Sequence, residues 1–479
     1  MESEIENSWK ELITSFISFH PTYHLVFEIV LIISGLFLYF SRSYKPLETI
    51  KLTKKEEEEL IADWKPEPLV PDGWQPNKII QSKFEKSVIS SFGKIVYFNE
   101  NKTKPVLNLA SFNFFNLIGN EKINETAQKA LRKYGVGSCG PRGFYGTFDV
   151  HLKLEDEIAN FMNCEESVVY SYGFSTVASA IPAYAKRGDV IFADEGVSFA
   201  IQCGLLASRS KIKYFKHNDM DHLVSLLEEQ SEEAIKNPAK ARITRTFIVI
   251  EGLYMNYGDI CPLPKIVELK YKYKVRIFLD ETLSFGVLGD HGRGVTDHFG
   301  VDVTDIDLIT GSLETALATC GGFSVGSKYV VDHQRLSGQG YCFSASLPPL
   351  LACGASVVLE MIRAEEGVAQ RIRLNEISKK ISSLLCSRLS MYWKLDSEDI
   401  SPIKHIRLRL NNTEERLEKA VNLAYQEGLL ITEARYLKES EYKCPKPSIR
   451  LSINCALTDE EIEFFCNVME RVGENLSNP

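Results

Sequence analysis

The sequence predicts an α/β fold: a large domain on a mainly parallel sheet, then a smaller α+β domain. Three observations predict it. Short β-branched or aromatic runs recur, each ended by a turn or an acidic residue. Segments of helical composition lie between most of them. After residue 355 the pattern changes to a long polar–apolar helical stretch and isolated strand-like runs. Strands that alternate with helices are covered on both faces, so they read as nearly continuous apolar segments.

The first element is the run 23-YHLVFEIVLIISGLFLYF-40, broken only by polar His24, Glu28 and Ser34. Its length fits a membrane-spanning helix, which needs roughly 17–25 residues. A buried core helix is the other reading. Glu2, Glu4, Glu6 and Glu11 precede the run, and Arg42, Lys45, Lys51, Lys54 and Lys55 follow it. The positive-inside rule then places the rest of the chain in the cytosol. No basic start or small-residue cleavage site marks a signal peptide. Upstream, Trp9, Leu12, Ile13, Phe16 and Ile17 recur at helical spacing. They fit an interfacial helix or a face packed on a partner helix. The runs 54-KKEEEEL-60 and 64-WKPEPLVP-71 read as an exposed helix start and an extended linker. The expected organisation is an anchor segment over 1–45, a linker and arm over 46–105, the large domain over 106–355 and the small domain over 356–479.

Six runs make the large domain's sheet: 167-SVVYSYG-173, 189-DVIFAD-194, 246-TFIVIEG-252, 275-VRIFLDE-281, 306-IDLITG-311 and 322-GFSVG-326. Helical segments such as 221-DHLVSLLEEQSEEAI-235 and 264-PKIVELKYKY-273 separate them. The small domain begins with a helical stretch over 356–385. Strands are expected at 402-PIKHIRLRL-410 and 448-SIRLSIN-454, and helices over 413–427 and 458–472.

Composition narrows the function. The chain has 479 residues, 44% of them hydrophobic, which is ample for a large core. A net charge of −9 gives no electrostatic basis for nucleic-acid binding. Eleven cysteines stand singly, without CxxC or Cys/His spacing, which argues against zinc and for a reducing compartment.

In open α/β sheets ligands bind at the carboxyl ends of the strands. At the first such end, Gly173, Phe174, Ser175 and Thr176 open a helix. Small residues there suit a phosphate, and they equally suit a plain strand–helix joint. Asp194 and Glu195 close the next strand, and 251-EGLYMNYGDICPLP-264 is a turn-rich loop. Asp280 ends 276-RIFLD-280, where a carboxylate either holds a protonated ring nitrogen or caps a neighbouring helix. The last end is 311-GSLETALATCGG-322.

Four segments in order carry a resemblance: 135-GVGSCGPRGFYGTFDVHLKLEDEIANF-161, 251-EGLYMNYGDICPLP-264, 279-LDETLSFGVLGDHGRG-294 and 341-YCFSASLPP-349. The chain resembles the α-oxoamine synthase family of pyridoxal-phosphate enzymes over roughly residues 100–470. The resemblance implies the type I fold of aspartate aminotransferase. It also implies chemistry that joins an amino acid to an acyl-CoA and releases carbon dioxide. The family's cofactor lysine lies in a pattern like G-T-L-S-K-A. Here that pattern is Gly311-Ser312-Leu313-Glu314-Thr315-Ala316, with Thr315 in the lysine's place. A hydroxyl cannot form a Schiff base. Ser198 stands where the family has the histidine over the cofactor ring, and Leu283 replaces a second histidine. Gly173, Phe174 and Ser312 match cofactor-site positions. Asp280 matches the acid facing the pyridine nitrogen, and Arg450 matches the arginine for the substrate carboxylate.

The resemblance further implies a two-chain active site. A lysine-bearing partner subunit would bind pyridoxal 5'-phosphate covalently. This chain, inactive alone, would complete that site with Cys139, Arg142, Tyr145, Ser344 and Ser346. On the residues alone Cys139 reads as a buried thiol packed against glycines; the interface role comes from the resemblance. The resemblance also implies a small activating subunit, ORM-like membrane regulators, and an endoplasmic-reticulum membrane crossed once. Two other readings stand beside it: a self-sufficient enzyme that uses Lys328, and a purely structural membrane tether or acyl-CoA-binding module.

Overall fold

The computed structural model describes residues 14–15, 21–40, 52–69, 87–99 and 101–477. The chain forms two compact units, residues 1–78 and 79–479. In the first, the apolar run forms the helix Pro21–Phe40, 20 residues long. Phe27, Ile32, Phe37, Leu38 and Phe40 are exposed along it. Among the described residues, no helix is long and apolar enough to cross a membrane. The expected span over 23–40 falls within this helix. His24 and Glu28 face each other at 3.4 Å in its first half. A second helix, Lys54–Asp63, starts at a capping box in which Thr53 and Glu56 satisfy each other's backbone N–H. The Trp9-to-Ile17 pattern and the basic residues Arg42, Lys45 and Lys51 lie outside the described residues.

The second unit is built on a seven-stranded sheet. Its strands in chain order are β1 (Glu166–Tyr170), β2 (Val190–Asp194), β3 (Lys211–Phe215), β4 (Thr246–Glu251), β5 (Arg276–Asp280), β6 (Leu308–Ser312) and β7 (Gly322–Gly326). In space they run β1-β7-β6-β5-β4-β2-β3. The pairs from β6 to β3 are parallel. β7 returns antiparallel between β6 and β1. All five residues of β2 and of β6 are buried, as a sheet covered on both faces requires. The sequence reading omitted β3, an edge strand whose alternating lysines, KIKYF, hide its apolar side.

Elsewhere the boundaries moved. The stretch expected as one helix over 356–385 is two, Pro349–Arg363 and Glu365–Cys386, joined at Ala364, whose ψ of 163° is extended. Arg363 ends one helix and Glu365 and Glu366 open the next, as the helix dipoles favour. Part of the expected arm over 46–105 folds as strands Val88–Phe92, Ile95–Phe98 and Asn101–Asn108. The third of these pairs parallel with Leu429–Leu430 from the far end of the chain. Strands Ile403–Leu408 and Ile449–Ser452 pair antiparallel in the last sheet.

Three buried carboxylates crowd the ends of β4 and β5. Burial raises Glu251 to about 8, helped by the nearby charge of Asp280. Burial also raises Asp280 to about 6, although Thr282 and Thr310 donate hydroxyls to it at 2.8 and 3.1 Å. Glu281 rises to about 7 for the same reason, while it accepts the Val295 N–H at 3.0 Å. These acids anchor loops: Glu251 takes the N–H groups of Ser198 and Met255.

A fourth buried acid, Glu155 of the helix Asp149–Met162, grips Arg142 through both oxygens at 2.7 and 3.0 Å. It also accepts the Val169 N–H at 2.9 Å. Glu155→Ala leaves a buried guanidinium unpaired and is expected to cost about 3–5 kcal/mol, read by chemical denaturation. The raised Asp280 value has a definite sign. The stability it contributes is full below the unfolded carboxyl pKa, near 4, and is lost as pH rises through about 6. The thermal-stability advantage of wild type over Asp280→Asn is therefore expected to shrink over that window. An advantage that grows with pH contradicts the assignment.

Candidate functional site

The carboxyl ends of β1, β2, β4, β5 and β6 converge on the positions matched to a cofactor site. Thr315 follows β6 in the loop that leads to β7. It is buried, and its hydroxyl donates to the Thr282 carbonyl at 2.6 Å. Leu283 is 1% exposed and belongs to the hydrophobic core. Ser198 begins the helix Phe199–Ser208 without making a side-chain cap, and gives its N–H to Glu251. The cavity that Asp280 lines with Phe278 and Thr310 holds about 10 Å³, no more than a single water.

The phosphate-type position is also changed. Gly173 opens the 12-residue helix Gly173–Tyr184. Its N–H donates to the Glu314 carboxylate at 3.1 Å, and the Ser312 hydroxyl accepts the Glu314 N–H at 3.0 Å. A Cβ at Gly173 would lie 2.6 Å from that hydroxyl, so the approach requires glycine. Phe174 is half exposed beside it. The residues present therefore do not fit pyridoxal phosphate. The covalent amine, the stacking ring and a free phosphate cup are all missing. Lys328 offers no replacement. β7 runs antiparallel from Gly322, opposite Tyr170 and Ser312, to Gly326, opposite Glu166. Lys328 follows Gly326 and sits 3.8 Å from Glu166, about one strand length (~17 Å) from the Thr315 end.

Arg450 keeps its place but not a partner. Its guanidinium lies 4.7 Å over the Phe112 ring, and its Nε has no hydrogen-bond acceptor. Burial lowers its pKa, and among the described residues no carboxylate pairs with it.

The two segments expected at a shared site do meet. The Ser346 N–H donates to the Gly140 carbonyl at 3.0 Å, and its hydroxyl donates to the Gly146 carbonyl. Ser138 donates to the Ser346 carbonyl at 3.1 Å. Gly146 is forced by this closeness, since a Cβ there would stand 2.0 Å from the Gly140 carbonyl. Cys139 and Tyr145 both hold left-handed backbone, with φ of 57° and 65°. Both are exposed, so Cys139 is not a thiol buried among glycines. Ser344 is half-buried. Arg142 and Ser346, expected at the shared surface, are instead buried: one is committed to Glu155, the other to the glycine loop.

Sequence reasoning missed a cluster beyond β2 and β3. His217 lies between Asp194 at 2.8 Å and Asp259 at 2.9 Å, stacked on Tyr257 at 4.0 Å. Burial opposes its charge, but the two carboxylates outweigh burial and raise it to about 10. Asp194 closing β2 was the only visible signal, because Asp259 lies 42 residues from His217.

The comparisons agree with this architecture. The family model described as aminotransferase class I and II matches residues 104–469. Serine palmitoyltransferase 1 of Dictyostelium discoideum is 43% identical over 446 residues, covering 91% of each chain. Long chain base biosynthesis protein 1c of Oryza sativa subsp. japonica is 42% identical, covering 95% of this chain and 92% of its own. Serine palmitoyltransferase 1 of Saccharomyces cerevisiae is 36% identical, covering 94% and 88%. A solved serine palmitoyltransferase from S. paucimobilis, bearing a PLP–myriocin aldimine, superposes with a TM-score of 0.74. It is 23% identical and covers 84% of this chain and 96% of its own, a likeness of fold. The chain belongs to the class I and II aminotransferase family and, within it, to the group of serine palmitoyltransferase 1 and long chain base biosynthesis protein 1.

Proposed function

We propose that the chain is the lysine-lacking subunit of serine palmitoyltransferase. That enzyme condenses L-serine with palmitoyl-CoA to 3-ketosphinganine, the first step of sphingolipid biosynthesis. The observation that carries this reading is Thr315. Its hydroxyl stands at the cofactor-lysine position and is spent on the Thr282 carbonyl. Pyridoxal 5'-phosphate would then be held by a lysine-bearing partner subunit, where it supplies the electron sink for the condensation.

This chain's residues would shape and close the partner's site. Cys139 and Tyr145 are exposed and Ser344 is half-buried, with Phe144 and Phe343 also exposed. Arg142 and Ser346 would act one layer behind, by holding the glycine loop in place. The position of Lys328, at the opposite end of β7 from Thr315, disfavours a self-sufficient enzyme. Membrane attachment is part of the proposal. The exposed apolar side chains of Pro21–Phe40 support lipid contact, and the endoplasmic reticulum is the compartment the reading implies. A small activating subunit and ORM-like regulators would meet the complex near that segment.

The decisive experiment uses the co-purified pair. Cys139→Trp in this chain alone is expected to lower kcat about tenfold or more, with assembly intact, because a bulky ring is forced into a shared cleft. Full activity of the partner without this chain sinks the shared-site reading. The chain purified alone is expected to show no borohydride-reducible absorbance band. Deleting residues 1–45 is expected to release the complex from floating membrane vesicles, and continued flotation overturns the attachment.

A further inference from the structure

The helix Gly173–Tyr184 has a positive end with no anion of its own. Its N-cap, Tyr172, makes no side-chain cap, and its first turn contains no acid. Free N–H groups and the dipole at such an end attract a phosphate or a carboxylate. Here the anion comes from another loop. Glu314 lies two residues beyond β6, and its carboxylate accepts the Gly173 N–H at 3.1 Å. Its second oxygen lies 3.3 Å from where a Gly173 Cβ would stand. The Ser312 hydroxyl, 3.0 Å from the Glu314 N–H, fixes the turn that delivers it. Glycine, hydroxyl and helix end thus form a phosphate cradle, and the chain fills it with a carboxylate.

We propose that Glu314 is a built-in anion that occupies this cradle and excludes a phosphate-bearing cofactor from this chain. A phosphate brought to the same N–H would have to displace the carboxylate or sit against its charge. Thr315 removes only the covalent bond, whereas Glu314 removes the non-covalent foothold as well. Glu314 thus determines specificity between the two halves of the enzyme: the cofactor is directed to the partner's site. That consequence rests on the two-chain reading above. The occupied cradle rests on this chain's contacts alone.

The test therefore uses the full-length chain and inorganic phosphate, with no catalytic readout. Thermal midpoints are compared in phosphate and in chloride at equal ionic strength, for wild type, Glu314→Ser and Glu314→Gln. Wild type is expected to be indifferent to the anion. Glu314→Ser is expected to gain roughly 1–3 °C from about 10 mM phosphate, as the vacated cradle binds it. Glu314→Gln keeps the length without the charge and is expected to gain less; it carries the comparison alone where the serine variant does not fold. An anion response in a variant and none in wild type supports the proposal. Equal responses, or none in either variant, overturn it and leave Glu314 an ordinary helix cap. Because no partner chain takes part, failure here leaves the heteromeric reading standing, and failure of that reading leaves this result intact.

Discussion

The surface at which this chain would meet a partner depends on one buried carboxylate. Glu155 holds the Arg142 guanidinium with two oxygens and the Val169 N–H of β1 with one of them. A helix, the central sheet and the glycine-rich loop are thereby pinned to a single group. From Arg142 the order passes through Thr147, bonded at 3.0 Å, and the loop is then laced to Ser346. A charge pair so deeply buried adds little net stability over an apolar replacement, but it does not tolerate the loss of one member. Its role is to fix geometry: exposed Cys139 and Tyr145 are carried on a frame that they do not themselves stabilise.

The same economy of charge runs along the strand ends. The family position for a covalent amine holds a hydroxyl bonded to a carbonyl. The position of the family's second histidine holds Leu283, inside the core. The remaining acids, Glu251, Asp280 and Glu281, accept from loop N–H groups and hydroxyls and favour their neutral forms through burial. The polar groups at these positions are engaged in the protein's own hydrogen bonding.

Much of this was legible in the sequence, for physical reasons that differ by element. The six central strands were readable because burial on both faces makes them continuous apolar runs. β3 was not, because an edge strand alternates lysine with apolar residues. The break at Ala364 was marked only by the charge reversal from Arg363 to Glu365. At the site, Thr315, Ser198 and Leu283 were visible as departures from a pattern. The roles of Arg142 and Ser346 were not, since residue type cannot tell an outward arginine from one paired with an acid 13 positions away. Glu314 was read past for a similar reason: its meaning lies in a contact with Gly173, 141 residues earlier in the chain.

Left-handed backbone at Cys139 and Tyr145 has a consequence for how variation there should be read. Each non-glycine residue in that conformation carries a cost of about 1–2 kcal/mol, and glycine would relieve it. Neither side chain buries itself in the fold in return. Folding of this chain alone therefore favours glycine at both places, so replacing either residue by glycine raises the stability of the isolated chain and separates the needs of the fold from those of the proposed shared site.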